Sequence, residues 1–123
     1  MRLFSTLMRG QTLLPIIQAN TVEQGLESAK AMSAAGIGLV EVVLRTEASI
    51  DIIRSLKKEL PKLKVGAGTV INADTYFKAL DAGSDFIITP TTSSCLLQLL
   101  ARSPVPVLPG VSDAASILSA VEH

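Results

Sequence analysis

Short apolar runs alternate with helix-patterned stretches along the whole chain, and no other feature of the sequence narrows the fold as far. The runs lie near 13–18, 38–45, 63–68, 85–89 and 105–108, with helical patterns near 21–35, 47–60, 73–82, 92–102 and 112–122. Parallel strands joined through a helix form right-handed crossovers, so the alternation predicts consecutive βα units and a parallel sheet. Helix-start signals agree. Thr21-x-x-Gln24 predicts a capping box, Asn72 precedes the third of these helices, and Ser112 is placed to cap the last. Ser33-Ala-Ala-Gly36 and Leu80-Asp-Ala-Gly83 read as helix C-termini two units apart, each with a glycine placed to take the left-handed conformation. Five units of about 23 residues occupy the chain from end to end. A single domain over residues 1–123 is therefore expected.

Composition narrows what such a domain does. Hydrophobic residues make up 48% and charged residues 18%, below the charged share of roughly 25% usual in soluble domains, so elements buried on both faces or an adhesive oligomer surface are expected. The eleven basic and eleven acidic side chains cancel, and no basic block exceeds Lys57-Lys58. That balance predicts neither a nucleic-acid partner nor an anionic membrane surface. Cys95 is the only cysteine and His123 the only histidine, which removes disulfide frameworks, Cys/His zinc sites and catalysis built on an interior histidine. A reducing, cytoplasmic location is expected. The N-terminal MRLFSTLMRG lacks the apolar core of a signal peptide, and no stretch approaches a membrane span.

Five βα units fit either an open doubly wound sheet of flavodoxin or receiver type, or the first five-eighths of a (β/α)8 barrel. In both, working groups gather at the carboxyl ends of the strands. Those ends read Pro15-Ile-Ile-Gln18, Val43-Leu-Arg45-Thr46, Gly66-Ala-Gly68-Thr69, Ile88-Thr-Pro90-Thr91 and Leu108-Pro-Gly110. A phosphoacceptor receiver needs acids after its first and third strands and a lysine after its fifth, and none of these is present.

The second run is the most informative. Side chains alternate along Leu39-Val-Glu-Val-Val-Leu-Arg45, so Val40, Val42 and Leu44 form one apolar face while Glu41 and Arg45 share the other with Leu39 and Val43. Full extension would separate Glu41 from Arg45 by about 13 Å, too far to pair. A carboxylate inside an apolar strand must be paired, protonated or wet. Glu41 is thus either a proton-transfer group or half of a structural ion pair with a lysine across the fold. Arg45, beside Thr46 and the next helix N-terminus, reads as a clamp for an anionic substrate or as a solvated loop arginine. The glycines of Gly66-Ala-Gly68-Thr69 let backbone or ligand approach, and the threonine hydroxyl offers a neutral donor.

Taken in series, Leu14-Pro-Ile-Ile17, Glu41-Val-Val-Leu-Arg45-Thr-Glu47, Gly66-Ala-Gly-Thr-Val70, Ile88-Thr-Pro90 and Leu108-Pro-Gly-Val-Ser112 resemble the bacterial 2-dehydro-3-deoxy-phosphogluconate (KDPG) and 4-hydroxy-2-oxoglutarate (KHG) aldolases over essentially the whole length. The resemblance implies an α/β fold, a (β/α)8 TIM barrel of which this chain covers about the first five units. It implies a class I, Schiff-base aldolase that uses no metal or other cofactor, is usually a homotrimer, and cleaves a 2-oxo acid to pyruvate and an aldehyde. It places Glu41 as the catalytic proton shuttle, Arg45 and Thr69 at the substrate carboxylate, and Pro90 among the substrate-binding residues. Val43 stands where many members have threonine, and Thr91 replaces a common glycine.

The family's nucleophilic lysine lies on the sixth strand, past His123. Lys30, Lys57, Lys58 and Lys78 fall on helices, and Lys62 and Lys64 precede the third strand at the opposite face. The chain alone is therefore expected to be inactive, with its first and fifth strands as open edges. A stand-alone, non-catalytic binding or assembly module is the alternative.

Overall fold

The computed structural model describes residues 3–123. Its elements run α1 (Phe4–Met8), β1 (Ile16–Ile17), α2 (Val22–Ala34), β2 (Leu39–Val43), α3 (Ser49–Glu59), β3 (Lys64–Gly68), α4 (Ala73–Asp81), β4 (Phe86–Ile88), α5 (Ser94–Leu100), β5 (Val107–Leu108) and α6 (Ala114–Glu122). The strands form one parallel sheet in the order β1-β2-β3-β4-β5. Sequential order is that of a barrel. The flavodoxin-type sheet reorders its first strands, so that alternative is set aside.

One face of the sheet carries Val40, Val42, Val65, Ala67 and Ile87 into a core completed by Ala29 of α2, Ile52, Ile53 and Leu56 of α3, Tyr76 and Ala79 of α4, and Leu96 and Leu100 of α5. Each valine, leucine or isoleucine among them contributes roughly 1.5–3 kcal/mol by leaving water. Helices α2 and α3 approach closely because Gly25 has no side chain: a Cβ there would lie 2.7 Å from Ile52. Outside this core, Leu39, Glu41 and Val43 are buried on the other, inner face, as the alternation predicts.

The ends of elements differ in instructive ways. Strand β1 is shorter than the apolar run, because the Gln11 carboxamide takes the place of backbone beside the start of β2. It accepts from Gly38 and Leu39 N–H at 2.9 and 3.1 Å and donates to Leu39 O at 3.0 Å. Thr21 caps α2 by accepting from Gln24 N, but the Gln24 side chain closes on Asn20 N rather than on Thr21, so the predicted box is displaced by one residue. Asp113, not Ser112, caps α6, since only from position 113 does the residue three further on, Ser116, supply a reciprocating hydroxyl. Those bonds hold the Asp113 carboxyl below its usual range. Asn72 caps α4 in a full box, and Gly36 and Gly83 end their helices at φ +92° and +95°. Lys64 is the first residue of β3 rather than preceding it.

Candidate active site

The register places Glu41 opposite Gly66 and Gly66 opposite Phe86, with Val43 opposite Gly68 one layer nearer the strand exits. The two glycines accommodate neighbouring side chains, which corrects the expectation that they admit backbone or ligand. A Cβ on Gly66 would overlap the Phe86 ring, and one on Gly68 would overlap the Glu41 carboxylate, lying 2.7 Å from its carboxyl carbon. Phe86 is fully buried and packs edge-to-face on Phe4 of α1 at 5.1 Å, so the short N-terminal helix plugs the inner face below Glu41. Reading the sequence missed both α1 and Phe86. The available signal was the size complement of a phenylalanine in register with a glycine.

Glu41 is 8% exposed and takes part in none of the ion pairs among the described residues. Burial pushes its carboxyl above the ordinary 4.5, and the Arg45 guanidinium, the smaller influence, pulls it back. That influence exists because β2 stops at Val43. Arg45 N donates to Val43 O at 2.9 Å and turns the chain, so full extension to position 45 does not apply. The turn is then pinned: Thr46 Oγ1 donates to Ala19 O at 2.8 Å, and Ser49 Oγ to Thr46 O at 2.7 Å. Arg45 itself is exposed at the mouth.

Thr69 follows β3 at φ +62°, a left-handed conformation that a β-branched residue rarely adopts. Leu44 N donates to Gly68 O at 2.9 Å, which sets the Arg45 and Thr69 exits side by side. Pro90 is exposed one strand further on, after β4. Its loop is tied to the β5 exit. Thr89 Oγ1 accepts from Gly110 N at 3.0 Å and bonds Thr92 Oγ1 at 2.9 Å, while a Cβ on Gly110 would overlap the Pro90 carbonyl. Glu41, Arg45, Thr69 and Pro90 thus occupy the exit half of three adjacent strands. Lys62 and Lys64 lie at the opposite end. Among the described residues, no three His, Cys, Asp or Glu side chains gather as a metal site would need, and no helix is long and apolar enough to cross a membrane.

A parallel βα sheet in sequential order, with a buried inner carboxylate beneath an arginine and a strained threonine at the strand exits, defines a barrel-type segment. The sequence model of the family described as KDPG and KHG aldolase matches residues 4–123, and the chain belongs to that family. It is 39% identical over 118 residues to the 2-dehydro-3-deoxy-phosphogluconate aldolase of Pseudomonas aeruginosa, covering 96% of this chain and 54% of that protein. Among solved structures, the 2-keto-3-deoxy-6-phospho-gluconate aldolase of Zymomonas mobilis aligns with TM-score 0.90 at 30% identity over 98% of this chain and 58% of that one. The KDPG aldolase of Legionella pneumophila, solved with pyruvate captured as a covalent carbinolamine intermediate, aligns with TM-score 0.85 at 32% identity over 89% of this chain and 53% of that one. The chain spans about half the length of the curated relatives it matches.

Proposed function

We propose that this chain supplies the proton shuttle and the carboxylate clamp of a class I aldolase that cleaves KDPG, 4-hydroxy-2-oxoglutarate or both to pyruvate and an aldehyde. The observation that carries the reading is Glu41, buried on the inner face against the side-chainless Gly68 with its proton affinity raised. A carboxyl tuned toward neutrality gives a proton and takes it back in turn, as carbinolamine dehydration and C–C cleavage both require. Arg45 and the Thr69 hydroxyl hold the carboxylate end of the 2-oxo acid, the guanidinium supplying charge and the hydroxyl direction. Pro90 lines the mouth beside them.

The Schiff-base nucleophile is a lysine on the sixth strand, in the part of the relatives' length that this chain does not span. The iminium it forms accepts the electron pair left by bond cleavage. The working enzyme is a cytoplasmic homotrimer acting in Entner-Doudoroff sugar-acid breakdown.

The test grafts residues 1–123 onto the remaining half of the Pseudomonas aeruginosa aldolase and follows pyruvate release from both substrates. Cleavage is expected, and Arg45→Gln should raise KM by about tenfold or more. A folded graft that traps pyruvate on lysine under borohydride but cleaves neither substrate would overturn the proposal.

A further inference from the structure

The end of the sheet opposite Glu41 carries a second concentration of charge that the aldolase reading leaves unused. Arg9, Lys62 and Lys64 line one cavity of about 530 Å³, together with Gln11, Leu39 and Gly36. No acidic side chain lines it, and none of the three cations takes part in an ion pair among the described residues. The neighbouring Glu59, which shares an adjoining concavity with Lys62, is already paired with Lys30 at 3.4 Å.

The architecture converges the charges. Lys64 opens β3 in register with Leu39, and Lys62 stands two residues ahead of it. Arg9 ends α1 at φ +44°, and the next residue, Gly10, turns the chain at φ +85°. A Cβ at Gly10 or Gly36 would meet nothing within 4 Å, so the backbone on two walls is open to close approach. Gln11 is fully occupied with Leu13, Gly38 and Leu39 and holds its wall in place.

The ordinary explanation for cations here is that they answer the carboxyl ends of α1, α2 and α3, the last of which ends at Glu59 just ahead of Lys62. Each helix end carries about half a negative charge at most. Three such ends still leave about one and a half of the three positive charges unanswered, in a concave site that concentrates their field. A dianion is the matching ligand. The Arg9 fork suits two phosphate oxygens, and the lysines act as point charges on the remainder.

We propose that this cavity binds a small, free phosphate-bearing dianion. The proposal is independent of the aldolase reading, since the site lies at the other end of the sheet from Arg45. Inorganic phosphate is the probe, titrated at about pH 8, where its second proton is off, into the 15N-labelled chain. Saturable shifts are expected at the Gly10, Gly36 and Gly38 amides, absent with sodium chloride at matched ionic strength. Lys62→Gln with Lys64→Gln should weaken binding about tenfold or more, as should Arg9→Gln on its own, while Arg45→Gln leaves it unchanged. Shifts that never saturate, shifts confined to Arg45, Thr46 and Thr69, or an unchanged affinity in well-folded Arg9→Gln would each overturn it. So would a response to phosphatidate vesicles with none to free phosphate.

Discussion

Replacing Gly68 by alanine places a methyl group where the Glu41 carboxyl now lies, 2.7 Å from the carboxyl carbon and 2.9 Å from Cγ. Carbon atoms in ordinary contact stand about 3.5–4.0 Å apart, so the carboxyl must retreat by about 1 Å or swing to another rotamer. Val43, next to it on the inner face, is 6% exposed, and Phe86 fills the layer below, which leaves retreat toward the mouth and water. Hydration removes the cause of the raised pKa. A 13C-carboxyl titration of Glu41 in the intact chain should therefore show a midpoint above 4.5 in the parent and one moved down toward 4.5 in Gly68→Ala. In the grafted aldolase, a displacement of about 1 Å is expected to lower kcat on the order of a hundredfold. An unchanged midpoint and an unchanged Glu41 carboxyl shift in a well-folded Gly68→Ala chain would refute the idea that Gly68 seats the carboxylate.

Other consequences are open to measurement. Because Glu41 has its pKa raised on folding, the native state holds the extra proton, so stability falls as pH rises from 4.5 through the raised value; Glu41→Gln should remove that slope in urea unfolding and be the more stable form at neutral pH. Asp85 accepts from Lys57 Nζ at 2.7 Å and Val65 N at 2.8 Å, so Asp85→Ala leaves a strand amide without an acceptor and the Lys57 ammonium with the Leu63 carbonyl alone, at 3.2 Å, and should cost about 2–3 kcal/mol by the same assay. Thr69→Gly relieves the positive φ and should raise stability by up to about 1 kcal/mol, while weakening pyruvate binding in the graft. Strands β1 and β5 each pair on one side only, with Ile16 59% and Leu108 36% exposed; sedimentation of the chain by itself should show association, and a monodisperse monomer would contradict the open-edge description.

What could be read from residues alone depended on whether the signal was local. Strand β2 was legible over Leu39–Val43, though read two residues too far at its exit, because a five-residue alternation with a carboxylate on one face has only one way to lie in a half-buried sheet. The glycine helix ends were legible for the same reason: the left-handed residue is specified where it stands. Helix α1 was not. It has five residues and no side-chain cap, and Phe4 is held by packing on Phe86, far away in sequence. The site divided along the same line. Glu41, Arg45 and Thr69 stand out as residue types along the strands and their exits, and Pro90 entered only through the family resemblance, whereas the seating of Glu41 on Gly68 and the Phe86 floor arise from register between strands. Glu41 and Arg45 form no ion pair, as their spacing predicts, but the tight turn at Leu44 that ends β2 leaves no mark in the alternation.

Proton transfer by Glu41 is tested by the steady-state cleavage rate of the grafted aldolase with and without Glu41→Gln. Glutamine keeps the shape and cannot exchange the proton. If Glu41 transfers the proton, kcat falls by about 10²–10⁴-fold with KM little changed. A kcat within a few-fold of the parent graft would contradict it.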